Sequence, residues 1–154
     1  MSFRIRGLDA AQFQPLFVFD DAALAERGMR RIVADAPNSA PCRVTMDHAA
    51  PGELVLLLNF AHQVAHSPYR ASGPIFVRQN ATATFDRVDD LPPVFFGRPL
   101  SVRAYDEAGM MTDADLVEGD PRPLFEAFFA DPAVDRIHVH YARRGCYGGL
   151  VTRA

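Results

Sequence analysis

His62 and His66 stand four residues apart in "HQVAHSPYRASGPIFVR", the most chemically loaded stretch of the chain. On a helix that spacing would put both imidazoles on one face, where they could share a metal ion. A zinc-peptidase helix also needs a Glu directly after the first His, and Gln63 holds that place. Pro68 and the apolar run before it argue instead for a strand that ends in a loop. In that loop Ser67-Pro68 starts a turn and Ser72-Gly73-Pro74 closes it ahead of a strand. Tyr69 and Arg70 would project outward as a pocket wall, with Arg78 following on the next strand.

A second set is Arg136-Ile137-His138-Val139-His140-Tyr141. With a period of two, Arg136, His138 and His140 share one face and Ile137, Val139 and Tyr141 the other. His-x-His on a strand is a metal-binding geometry in cupins. The Glu that a cupin supplies a few residues later is missing, and Arg143 and Arg144 follow instead. A solvent-facing polar strand face is the simpler expectation, and no metal site is expected. The third set is "RRGCYGG", where two guanidiniums precede Cys146. Positive charge beside a thiol is the environment of reactive cysteines. A nucleophilic cysteine also needs a base, and His138 or His140 is near in sequence. The competing reading is a glycine-rich turn around a small buried Cys. The lysine and Ser/Thr of a phosphate-binding loop are absent.

These sets give one functional expectation and one alternative. The first is a small-molecule-binding protein or enzyme with an arginine- and histidine-lined pocket for an anionic ligand. His62, His66, His138 and Cys146 are its candidates for proton transfer and nucleophilic chemistry. Tyr69, Arg70, Arg78 and Arg143 are its candidates for ligand binding, with Arg70 as the foremost anion anchor. The alternative is a non-catalytic interaction module, a homodimer for instance, that presents Val94, Phe95 and Phe96 to a partner. Those three side chains are expected instead to anchor a Pro-rich connector on the core. Nothing in the sequence specifies a cofactor.

The elements that must position these residues read as follows. Phe3 to Arg6 alternates as a short strand, Asp9 caps a first helical turn, and Asp20 or Asp21 caps a short helix stopped by Gly28. "MRRIVAD" is a second strand. Cys42 to Met46 alternates and, with Pro51-Gly52 as a turn, suggests a hairpin into Leu54 to Phe60. The nearly continuous apolar character of Leu54 to Phe60 marks an interior strand. Ile75 to Gln79 is a strand. "PLSVRAYDEAGMMTDADLVEG" is a hairpin turning at Asp106 to Gly109. Pro121 opens a helix whose Leu124, Phe125, Phe128 and Phe129 form one stripe. Asp135 to Ala142 is a strand, and Leu150 to Thr152 a last edge strand. Mostly strands with a few short helices predict a single α+β domain over residues 1–154, built on a largely antiparallel sheet.

Composition bounds the partners. The 154 residues are 49% apolar and 23% charged, which suits one soluble globular domain. All 16 basic residues are arginine, so lysine Schiff-base chemistry is excluded and every cationic anchor is a planar fork. A net charge of −3 with no dominant basic face argues against nucleic acid. The longest apolar run, Leu54 to Leu58, is too short to span a bilayer, and the N-terminal residues lack a signal-peptide core. A cytoplasmic protein with Cys42 and Cys146 as free thiols is expected.

Three blocks, "PCRVTMDHAAPGELVLLLNFAHQ", "SPYRASGPIFVR" and "HVHYARRGCYGGLVTRA", together with "FRIRGLD", resemble a family of bacterial proteins, domain of unknown function 1203. The resemblance runs along essentially the whole chain. It implies a bacterial cytoplasmic protein and brings no activity, cofactor or substrate with it.

Overall fold

Two antiparallel sheets dominate the regular structure in the computed structural model, which describes residues 1–154. The strands are β1 (Phe3–Arg6), β2 (Arg30–Val33), β3 (Leu54–Gln63), β4 (Ala71–Arg78), β5 (Asp86–Val88), β6 (Leu100–Tyr105), β7 (Met111–Val117), β8 (Arg136–Tyr141) and β9 (Tyr147–Arg153). Two helices join them, α1 (Asp21–Glu26) and α2 (Arg122–Phe129). The larger sheet has the order β5-β1-β9-β8-β6-β7 and the smaller β2-β3-β4. This is the expected α+β architecture.

The local signals work where they are chemically distinct. Asp20 accepts from the Ala23 amide and caps α1, and Gly28 follows it at φ 70°. The β6–β7 hairpin turns at Asp106 to Gly109, with Gly109 at φ 81°. On α2 the Phe125, Phe128 and Phe129 rings are buried against one face of the large sheet, beside Phe3, Ile5, Val102, Ile137, Val139 and Val151. Phe125 meets Phe3 edge-to-face at 5.4 Å between centroids. Val94 and Phe95 are buried anchors of their connector, while Phe96 is exposed.

β3 is interior, between β2 and β4. Leu56 and Leu58 pack with Phe13, Leu24, Ile75 and Val77 on one side, and Val55 packs with Ala34, Ala40 and Ala49 on the other. Two expectations need correction. Cys42 to Met46 is a tight turn rather than the partner of β3: the Met46 amide donates to the Cys42 carbonyl, and Met46 sits at φ 52°. Its apparent alternation misleads because Arg43, the supposed outward residue, is buried together with Cys42, Val44 and Met46. The last strand is also longer than expected, and it is no edge. β9 lies between β1 and β8, its Val151 fully buried.

Candidate functional site

The polar face of β8 does not meet solvent. His138 and His140 are 3% and 1% exposed, and the His62 ring at the end of β3 lies against both. Three bulges shape this junction between the sheets. The β3–β4 register shifts between Ala61 and Gln63, so His62 is the extra residue and its ring is turned toward β8. The β8–β9 register shifts beside His140, which pairs with Tyr147 while Val139 pairs with Gly149. Gly148 is left as the unpaired residue, and a Cβ there would lie 3.1 Å from the Val139 carbonyl oxygen and 3.2 Å from the Tyr141 ring. A third shift falls between Ala104 and Tyr105.

The result is a compact aromatic cluster. His62 stacks on Tyr147 at 5.3 Å with the planes 9° apart. Its ring lies 5.0 Å from His140 and 6.2 Å from His138, and Tyr105 closes the set 4.9 Å from His138. Burial pushes His138 down to about 3 and His140 to about 4, so both rings are neutral at ordinary pH. Burial, then the Arg103 charge, lowers His62 as well. The His140 Nδ1–H donates to the Gly145 carbonyl at 2.8 Å, which fixes the tautomer and leaves a lone pair on Nε2. Nε2 of His140 and Nδ1 of His62 and His138 are buried without partners. No group of three His, Cys, Asp or Glu is arranged to hold a metal ion.

The other expected site residues scatter around this cluster. His66 is exposed on the loop after β3. Ser67 in that loop donates to the Gly109 carbonyl at 2.9 Å and pins it to the β6–β7 turn. Tyr69 is exposed and lies 6.3 Å from Tyr105. Arg70 is exposed, its Nη1 donating to the Val64 carbonyl at 2.7 Å. Arg78 is already matched: it forks onto Glu53 at 2.8 and 2.9 Å and reaches Asp47 at 3.0 Å. His62 and His138 therefore come together, while the Arg70 guanidinium bonds to its own loop.

Cys146 and Arg143 belong to a different place. They line a cavity of about 460 Å³ with Arg43, Arg98, Arg144 and Tyr141. Arg43 is 2% exposed and donates through Nε to the Tyr147 carbonyl, through Nη1 to the Pro41 carbonyl and through Nη2 to the Cys146 sulfur. Neither it nor Arg98, Arg143 or Arg144 has a carboxylate partner, and no Asp or Glu lines the cavity. The Arg43 and Arg98 guanidiniums lie 4.8 and 4.9 Å from the Tyr141 ring centroid, a cation–π arrangement with two cations on one ring. The Tyr141 hydroxyl is buried without a partner, and burial pushes it up to about 12, so it remains a donor. Asn38 and Ser39 complete the rim. Sequence reasoning missed Arg43 and Arg98; the available signal was an arginine flanked by Cys42, Val44 and Met46, side chains that bury.

Fold and site define a single-chain α+β protein whose two sheets enclose a neutral histidine–tyrosine cluster and whose outer wall carries an acid-free arginine cavity. The chain belongs to the family described as Protein of unknown function (DUF1203), whose model matches residues 39–153. That span holds every residue of the cluster and all of the cavity lining except Asn38. No curated protein and no solved structure matches the chain. No helix is long and apolar enough to cross a membrane.

Proposed function

We propose that this protein binds a small anionic molecule in the arginine cavity. One observation carries the reading: Arg43, an almost fully buried guanidinium, faces a cavity with three further arginines and no carboxylate. A buried charge left uncompensated is costly, and a bound anion is the natural counter-charge. Guanidinium forks and the unpaired Tyr141 hydroxyl suit carboxylate or phosphate oxygens. The anchors are then Arg98, Arg143 and Arg144 at the mouth and Arg43 at the base, with Arg143 the ligand-binding candidate that the sequence also supplies. The histidine cluster connects to this base, since the Tyr147 that stacks on His62 gives its carbonyl to Arg43.

Thermal shift in inorganic phosphate, against chloride of equal ionic strength, tests the reading. Phosphate raises the midpoint of the wild type, and the rise disappears in Arg98→Gln/Arg144→Gln. A phosphate response equal to that of chloride, or one that persists in the double variant, overturns it.

A further inference from the structure

We propose that Cys146 is the nucleophile of the arginine cavity and exchanges with small disulfides that carry carboxylates. The inference rests on the anion-binding reading and gives that site a substrate class.

Four observations support it. The Cys146 sulfur is half-buried on the cavity wall, within reach of a ligand, and takes the Arg43 Nη2–H at 3.5 Å. The same wall offers the buried, unpartnered Tyr141 hydroxyl, a donor with nothing in the protein to receive it. The cavity, about 460 Å³, is within the usual range for a bound small molecule. Its mouth arginines, Arg98, Arg143 and Arg144, have no protein carboxylate to hold, so they are open to those of a reagent. Converging positive charge raises the local concentration of anions and stabilises the negative charge that passes along three sulfurs in the transition state.

The reaction is a balanced exchange. The Cys146 thiol gives its proton to water, and the thiolate attacks one sulfur of the disulfide. A bond from Cys146 to that sulfur forms as the original S–S bond breaks, and the departing thiolate takes up a proton. Cys146 is oxidised to the mixed disulfide, and one half of the reagent is reduced to its thiol. No other oxidant is required.

The second thiol is an internal control. Cys42 is fully buried, its sulfur accepting from the Thr45 and Arg78 amides at 3.5 and 3.3 Å. The experiment treats the reduced protein with oxidised glutathione or with uncharged hydroxyethyl disulfide and follows adducts by intact mass and peptide mapping. The expected result is a single adduct, at Cys146, with glutathione disulfide favoured over the neutral reagent on the order of tenfold relative to a small free thiol. Arg98→Gln/Arg144→Gln, which removes two charges from the cavity mouth, removes that preference, so that the glutathione rate falls relative to the neutral one. If phosphate stabilises the wild type but the two disulfides show no difference beyond that of the free thiol, the cysteine inference alone falls. If phosphate also has no effect, both readings fall.

Discussion

Arg43 and Arg78 lie on either side of the same stretch of backbone, and their surroundings are opposite. The Arg43 amide donates to the Phe76 carbonyl, and the Arg78 amide to the Cys42 sulfur, so the two residues brace the turn and β4 against each other. Arg78 points to solvent and is answered by Glu53 and Asp47. Arg43 points inward and is answered by two carbonyls, a thiol and an aromatic face. A structural ion pair supplies its own counter-charge. A guanidinium held by neutral acceptors keeps its charge available, which is how a protein keeps a permanent place for an anion.

The largest effect expected from this contrast is at Arg43. Arg43→Ala removes the donors of the Tyr147 and Pro41 carbonyls and empties a buried side-chain volume beside the cavity, so it should cost about 3–5 kcal/mol in urea unfolding. Arg43→Met keeps much of the volume and should cost less than Ala. A loss at Arg43→Ala no greater than that of an exposed arginine would place its charge outside the packed interior and break the comparison.

Next in size is the pH response of the cluster behind Arg43. His138 and His140 have folded-state values lowered to about 3 and about 4 from 6.5, so the unfolded chain binds protons that the folded one refuses. Their stabilisation is complete above about pH 6.5 and is lost as pH falls toward those lowered values. At pH 5 the two together should weaken folding by about 4 kcal/mol relative to pH 8. The carboxylates whose values are depressed, Glu53 among them, act below this window, so the slope between pH 6.5 and 5 reports imidazoles. His138→Gln should flatten that slope in urea unfolding followed at each pH. A slope unchanged by His138→Gln would mean that this ring is protonated in the folded protein.

These differences also explain what could be read from the sequence. The β6–β7 hairpin, α2 and the interior position of β3 follow from turn glycines, a phenylalanine stripe and a continuous apolar run, each a local signal. The histidine cluster depends on bulges at His62 and Gly148, and one inserted residue reverses the facing of all that follow. His62 and His138 could be singled out by type, but their meeting could not be read from spacing. Arg43 was hidden by a false strand alternation, since a pattern of apolar and charged residues says nothing about where the charge points when both kinds are buried.

At Arg78 the expected loss is smaller. The pair with Glu53 is bidentate but partly open to water, so Arg78→Ala should cost about 1 kcal/mol, and added salt should shrink the difference. The Arg78 hydrogen bond holds the Glu53 carboxyl below its ordinary value. This contribution is present above the unfolded carboxyl value and is lost as pH falls through the folded one. The measurement is the difference in urea unfolding between wild type and variant at pH 7 and at pH 3. A difference that persists unchanged in acid and high salt would show packing of the side-chain stem instead of charge.

The smallest effect belongs to Arg70, the arginine to which the sequence points first as an anion anchor. It lies on the exposed loop after β3, away from the cavity, and spends one donor on the Val64 carbonyl. Arg70→Lys keeps the charge and removes the fork, so it separates bidentate recognition from mere attraction. Replacing an exposed side chain that makes one hydrogen bond to backbone should change stability by no more than about 0.5 kcal/mol. The phosphate response of the variant should match that of the wild type, because the proposed anion site is lined by Arg43, Arg98, Arg143 and Arg144 and by no residue of this loop. Parallel thermal shifts of Arg70→Lys and Arg98→Gln decide between the two locations. A response lost in Arg70→Lys and kept in Arg98→Gln would move the anion to the loop, and with it the meaning of the contrast between Arg43 and Arg78.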